Sequence, residues 1–221
     1  KIKNVVISLG GSLVVPDRID INFLKRFKGV IRKCNKHKIV IVIGGGRIAR
    51  DYIYALGGKD EKVRSLIGME ATRLNALLVS NFLDCRIVPD SMTELKKLLR
   101  RKNLVVCSSL GYKEGMTSDG TAADVARSIK ADMLINMTNV KGLYNKDPRK
   151  FRDARFIPEI SFEDFLKMAE KIRYEPGQHF VLDQIGAGII AKYKIKTVIL
   201  KGAGELEKCL KGKKFGGTVI S

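Results

Sequence analysis

The sequence predicts an α/β fold in which a largely parallel sheet is covered on both faces by helices. Three observations predict it. Apolar, β-branched runs alternate with amphipathic segments from one end of the chain to the other. The run KIVIVI, starting at Lys38, is apolar at every position after its lysine, as a strand buried on both faces requires. Glycine clusters follow the strand-like runs, where a parallel sheet gathers its ligand-binding loops.

Taken in order, residues 4–9 (NVVISL) read as the first strand. Residues 20–36 place Ile21, Leu24, Phe27, Val30, Ile31 and Cys34 on one helical stripe, with Asp20 placed to cap its start. The second strand runs into Gly44, Gly45 and Gly46, and RIARDYIYAL reads as the helix after it. A long helix is expected over 64–84. Strands follow at 104–107 and 133–137, with a helix over 119–130 between them. Beyond residue 150 the pattern gives helices over 161–172 and 181–194, a strand at 196–200, a helix over 204–211 and a closing strand GTVI. With no internal repeat and no Pro- or Ser-rich linker, residues 1–221 read as a single domain.

Composition narrows the class. At 45% apolar and 29% charged the chain can bury a core, and no apolar run reaches the roughly 20 residues of a spanning helix. No membrane partner is expected. The opening KIKNVVISLGG reads as a strand-to-turn junction rather than a leader. Cys34, Cys85, Cys107 and Cys209 are widely spaced with no CxxC, and His37 and His179 are the only histidines, so no structural metal site is expected. Reduced cysteines suit a cytoplasmic protein. The net charge of +19 favours anionic partners, whether nucleic acid, nucleotides or phosphates, but KKLLRRK, with leucines at helical spacing, is simply the wet side of an amphipathic helix.

Gly10 and Gly11, Gly44 to Gly46, and Gly111 with Gly115 all fall after strands. Glycines there let backbone approach a phosphate, and the helix that follows offers free N–H groups. There is no GxxxxGK[ST], and GGGRIA is not GxGxxG, so neither a P-loop nor a dinucleotide fingerprint is present. Arg47 and Arg50 stand in the first turn after the second cluster, where a cation opposes the helix dipole unless an anion is near. In MTSDGTAADVA, Ser118 and Asp119 are good N-cap residues, a role that needs no ligand. TNVKGLYNKDP is rich in turn formers.

Together SLGGSLV, VIGGGRIARDYI, IGMEATRLNALLV, TSDGTAADVA, TNVKGLYNKDP, LDQIGAGIIAKYKIKTVIL and GGTVIS resemble, nearly end to end, the amino acid kinase superfamily and within it the UMP kinases of archaeal type. The resemblance implies a three-layer αβα sandwich, ATP-dependent phosphorylation of UMP to UDP, Mg2+, and a hexamer built as a trimer of dimers. It implies Gly10, Gly11 and Ser12 at the donor phosphates, with Asn139, Tyr144 and Asp147 around the ATP nucleoside. Gly44, Gly45, Arg50, Thr117 and Ser118 would hold the UMP phosphate and its neighbours. Asp119 matches the superfamily aspartate that orients basic groups near the transferred phosphoryl.

Two positions depart from the pattern. Many relatives carry a lysine on the first strand where this chain has Ser8, a gap that archaeal-type UMP kinases often share. Relatives often place a ribose-binding aspartate where this chain has Ser65. Arg47 is then the candidate cation at the transferred group, with Lys141 and Lys3 as further candidates. The UMP phosphate oxygen is itself the nucleophile, so no base is required. The alternatives are another superfamily phosphotransferase, acting on a carboxylate, carbamate or isoprenoid phosphate, and a non-catalytic module that binds nucleotides or nucleic acid.

Overall fold

A computed structural model describes residues 2–146, 148, 150–171 and 182–221. Its strands are β1 (Asn4–Leu9), β2 (Lys38–Ile43), β3 (Leu104–Cys107), β4 (Met133–Met137), β5 (Leu143–Tyr144), β6 (Phe156–Ile157), β7 (Glu159–Ile160), β8 (Thr197–Leu200) and β9 (Gly217–Ile220). Its helices are α1 (Gly11–Val14), α2 (Ile21–Lys33), α3 (Gly46–Ala55), α4 (Glu61–Phe82), α5 (Met92–Arg101), α6 (Ser118–Ser128), α7 (Phe162–Glu170), α8 (Gln184–Tyr193) and α9 (Ala203–Leu210).

The main sheet has the order β3-β2-β1-β4-β8-β9-β7. Strands β3, β2, β1, β4 and β8 are parallel, and β9 runs antiparallel to β8. The closing strand therefore reverses direction, which an apolar run alone does not encode. The expected α/β sandwich with a largely parallel sheet is what forms. The sequence reading passed over α1, the β5–β6 ribbon and β7, all elements of four residues or fewer. The ends expected at 172 and 181 fall outside the described residues.

Alternation along the strands builds the three layers. Val5, Ile7 and Leu9, with Ile39, Ile41, Ile43, Met133, Ile135 and Met137, face α2, α4 and α9. Val6, Val40, Val42, Val105 and Leu134 face α5, α6, α7 and α8. Each such side chain, fully buried, contributes about 1.5–3 kcal/mol relative to exposure. Asp20 caps α2 as expected, accepting from the Phe23 N–H at 2.8 Å. Ile21 begins that helix but lies exposed, so the buried stripe starts at Phe23 and Leu24.

The same alternation sets the functional edge. Ser8 and Asn136 are paired residues of β1 and β4 and lie on the α6 side of the sheet. They occupy the last turn of an otherwise apolar face, and both are nearly inaccessible, at 2% and 3% exposure.

Candidate functional site

Three loops meet at the carboxyl edge of the sheet. A Cβ on Gly11 would lie 2.2 Å from the Gly46 nitrogen and 2.4 Å from the Gly44 carbonyl oxygen. One on Gly44 would lie 2.8 Å from the Gly11 nitrogen and 3.2 Å from Ser118 Oγ. The glycines are thus required first by each other, so that the β1–α1 loop, the β2–α3 loop and the start of α6 touch. Asn75 of α4, itself buried, donates from Nδ2 to the carbonyls of Gly44 and Gly45 at 3.0 and 3.1 Å. That asparagine fixes the second loop and was missed; its one signal was a polar residue on the apolar face of a long helix.

This packing leaves a defined set of donors. Gly10 N–H is spent on the Met137 carbonyl at 3.0 Å, which corrects the expectation that it faces a phosphate. The N–H groups of Gly11, Ser12, Gly45 and Gly46 have no partner among the described residues. They stand at the starts of α1 and α3, where backbone donors suit an anion.

Arg47 pairs with Asp17 and, at 3.4 Å, with Asp51. The anion that offsets its unfavourable place in the helix dipole comes from the chain itself, which corrects the argument that this arginine calls for a ligand. Arg50 is exposed and has no ion pair among the described residues. Ser65 lies one turn before Gly68 on α4, and the Gly68 carbonyl oxygen is 3.7 Å from a Cβ built on Gly45. Beside it the Arg64 Nε is buried without a partner among the described residues.

The residues expected at the donor nucleoside follow β4 in the chain. Asn139 is exposed two residues past β4, close to the Thr138 hydroxyl at 3.5 Å. Tyr144 packs edge-on against Phe156 with ring centroids 5.5 Å apart. Thr218 of β9 anchors this ribbon, its Oγ accepting from Leu143 N–H at 2.8 Å. Lys141 Nζ lies 4.4 Å from the Phe156 ring centroid. Lys3 precedes β1 at the opposite end from Gly10, roughly 20 Å away along the strand, and is removed as a candidate. Asp147 lies outside the described residues.

At the start of α6 the N-cap is Thr117, whose hydroxyl accepts from Asp119 N–H at 3.2 Å, rather than Ser118 or Asp119. Three capping residues in a row left that choice open in the sequence. Asp183, also missed, accepts from Thr117 N–H at 3.2 Å, Gly120 N–H at 2.8 Å, Gly186 N–H at 2.5 Å and the Thr117 hydroxyl. One carboxylate thereby joins the N-termini of α6 and α8, and a Cβ on Gly120 would come within 2.9 Å of it.

Asp119 is free of that capping work. Its Oδ1 accepts from Ser8 Oγ at 2.7 Å and from Asn136 Nδ2 at 3.2 Å. No hydrogen bond reaches Oδ2, and no ion pair reaches the carboxyl group, among the described residues. Burial pushes this carboxyl up to about 7; the Asp183 charge adds to the rise, and the hydrogen bonds from Ser8 and Asn136 oppose it.

The Amino acid kinase family profile matches residues 3–201. A uridylate kinase of Methanococcus aeolicus is 33% identical, covering 98% of this chain and 99% of that one. A uridylate kinase of Pyrococcus abyssi is 34% identical over 97% of this chain and 98% of its own length. The solved uridylate kinase of Archaeoglobus fulgidus superposes with a TM-score of 0.86 at 33% identity, over 98% of this chain and 99% of that one.

Proposed function

The chain belongs to the amino acid kinase family, and from that premise we propose that it transfers the γ-phosphoryl group of ATP to UMP, giving UDP and ADP. One observation supports the reading: the free N–H groups of two helix starts, at Gly11–Ser12 and at Gly45–Gly46, lie side by side where the glycines pack against each other. Two phosphate groups held by such a pair of cradles meet in line, and phosphoryl transfer needs little else from a protein.

In this reading Gly11 and Ser12 hold the donor phosphates, with Gly10 shaping the turn, and Asn139, Tyr144 and Asp147 flank the donor nucleoside. Gly44, Gly45, Arg50 and Ser118 surround the acceptor phosphate. Thr117 shapes that corner through Asp183, and Ser65 lies toward the acceptor nucleoside. Arg47 reaches the transferred group only by leaving Asp17. We place Mg2+ on the nucleotide phosphates. The described residues hold no group of three His, Cys, Asp or Glu that could cage a metal, and Mg2+ binds through substrate phosphates with few protein oxygens. Bound there, it neutralises charge on the moving phosphoryl.

The protein acts as a homo-oligomer of the cytoplasm, and a hexamer built from dimers is the state that its resemblance implies. Leu66, Leu74 and Leu77 form an exposed stripe on α4 that a second copy would cover. No helix among the described residues is long and apolar enough to cross a membrane.

The test is ATP turnover coupled to ADP release across UMP, CMP, dUMP, acetylglutamate and isopentenyl phosphate. UMP is expected to be preferred; preference for any other acceptor overturns the assignment. Sedimentation of the same preparation measures the oligomer.

A further inference from the structure

We propose that the corner of the molecule where α6 and α8 end is a docking surface for single-stranded nucleic acid, with Lys130, Lys192, Lys194 and Lys196 on its phosphates and Tyr193 stacked on a base. The surface goes beyond the kinase reading and does not depend on it.

This corner is at the far end of the sheet from the glycine loops. Strands β4 and β8 start here, and β4 runs roughly 17 Å before the chain reaches the catalytic edge. Charge is screened over about 8 Å at physiological salt, so phosphates bound at the other edge do not explain cations here. The helix dipoles do not explain them all either. Arg127 already stands in the last turn of α6 and Lys192 in the last turn of α8.

Beyond each last turn stands a further lysine in a left-handed conformation, Lys130 at φ +50° and Lys194 at φ +49°. The two helices close alike. Ala131 N–H donates to the Ala126 carbonyl at 2.8 Å, and Ile195 N–H to the Ile190 carbonyl at 3.0 Å. Glycine is the ordinary residue at such a position, because a Cβ is strained there. Strain kept at two adjoining helix ends, with lysine both times, points to work for the side chain.

The lysines have no carboxylate to neutralise them. Lys130, Lys192, Lys194 and Lys196 are exposed, and none has an ion pair among the described residues. Asp124 and Asp132, the carboxylates closest in sequence to Lys130, are already used. Asp124 pairs with Arg127 at 2.6 Å and Lys113 at 2.8 Å, and Asp132 accepts from the N–H groups of Lys3 and Asn4. Tyr193 stands among these cations and is 49% exposed. Its ring centroid lies 5.5 Å from the Arg127 guanidinium carbon and 5.6 Å from Lys192 Nζ. An exposed aromatic ring among unpaired cations holds a base while the cations track the phosphate backbone. An anionic membrane would need a broad apolar face beside the charge. Here Tyr193 is the one large exposed hydrophobic side chain among the described residues.

The test is fluorescence anisotropy of a labelled oligoadenylate of about 20 nucleotides with the whole protein. Binding is expected to be unchanged by MgADP and UMP. It is expected to weaken with salt at a log–log slope of about −3, four phosphates at about 0.7 each. Lys130→Gly/Lys194→Gly removes two of the four, so the slope should halve and affinity fall roughly 20-fold at about 0.1 M salt. Its Tm should not fall, because glycine suits both backbone positions. Tyr193→Leu should bind the single strand roughly tenfold more weakly with the slope unchanged. Turnover of ATP with UMP should be the same in all three proteins.

Equal affinity and slope in the parent and Lys130→Gly/Lys194→Gly overturns the inference. So does displacement of the strand by MgADP and UMP, which would put it in the nucleotide site. Duplex or phosphatidylserine vesicles bound as tightly as the single strand, with no loss in Tyr193→Leu, would overturn it in favour of unselective attraction to anionic surfaces.

Discussion

The start of α3 carries a cation that the chain itself neutralises; the start of α6 carries a carboxyl group that it does not. Arg47 is half exposed and meets Asp17 and Asp51, both largely in solvent. Asp119 is half-buried, with hydroxyl and amide donors on one oxygen and no cation among the described residues. Exposed charge is cheap to balance locally, because water does most of the work. Enclosed charge is not, so the balance must come from a proton or from what binds. The two helix starts lie on one edge of one sheet, and one has its charge balanced by carboxylates of the chain while the other has no cation among the described residues.

The largest expected effect tests what holds the enclosed region in place. Asp183 accepts from four donors on two helices. Asp183→Ala leaves all four bare and should cost about 4 kcal/mol, near 1 kcal/mol for each. For a chain of this length that lowers Tm by roughly 10 °C, readable by calorimetry. A loss under about 1 kcal/mol in urea would show that the α6–α8 joint does not depend on this carboxylate.

The second test separates the regions by pH. The Asp119 carboxyl rises from 3.8 to about 7 on folding. The folded state therefore holds the proton more tightly than the unfolded state. That contribution to stability is complete below about pH 4 and is lost as pH rises toward 7. Asp119→Asn should remove a slope on the order of 3 kcal/mol. Without nucleotide it should be the more stable protein at pH 8, and urea unfolding at pH 5 and pH 8 compares the two. An unchanged slope would mean that the carboxyl stays ionised when enclosed.

These two regions also differ in how much of them could be read from the chain. The central strands β1 and β2 were legible because a parallel sheet demands apolar, β-branched runs, and Val5 to Leu9 and Ile39 to Ile43 answer that demand locally. The Asp20 cap was legible for the same reason, its acceptor and donor being three residues apart. Gly11, Gly44 and Gly46 were legible as a site but not as contacts with each other. Asp183 was not legible, because its donors at Thr117 and Gly120 lie more than sixty residues away. Nor was Asp17, thirty residues before the arginine it neutralises. Charge balance is tertiary, so a motif shows which ionisable groups gather but not which are already paired.

The third prediction contrasts the two arginines of α3. Arg50 has no ion pair among the described residues, whereas Arg47 has two. Arg50→Ala should raise the KM for UMP roughly tenfold, about 1.4 kcal/mol, with little change in kcat. Arg47→Ala should change that KM less. Equal effects from both would mean that Arg47 leaves its carboxylates when UMP binds.

The smallest effect is expected at Asp17. Its pair with Arg47 is exposed, and such pairs contribute at most about 1 kcal/mol to stability. Asp17→Asn should leave urea unfolding nearly unchanged. What it alters is the availability of Arg47, since Asp51 then holds it alone at 3.4 Å. If Arg47 is engaged only by the chain, kinetics with UMP and ATP stay as before. If it is a reserve cation for the transferred phosphoryl, releasing it raises kcat/KM, and the gain shrinks as salt screens the remaining pair. Turnover of Asp17→Asn at low and high salt decides which, and a gain that salt abolishes would make α3 a helix start whose charge is completed by the ligand.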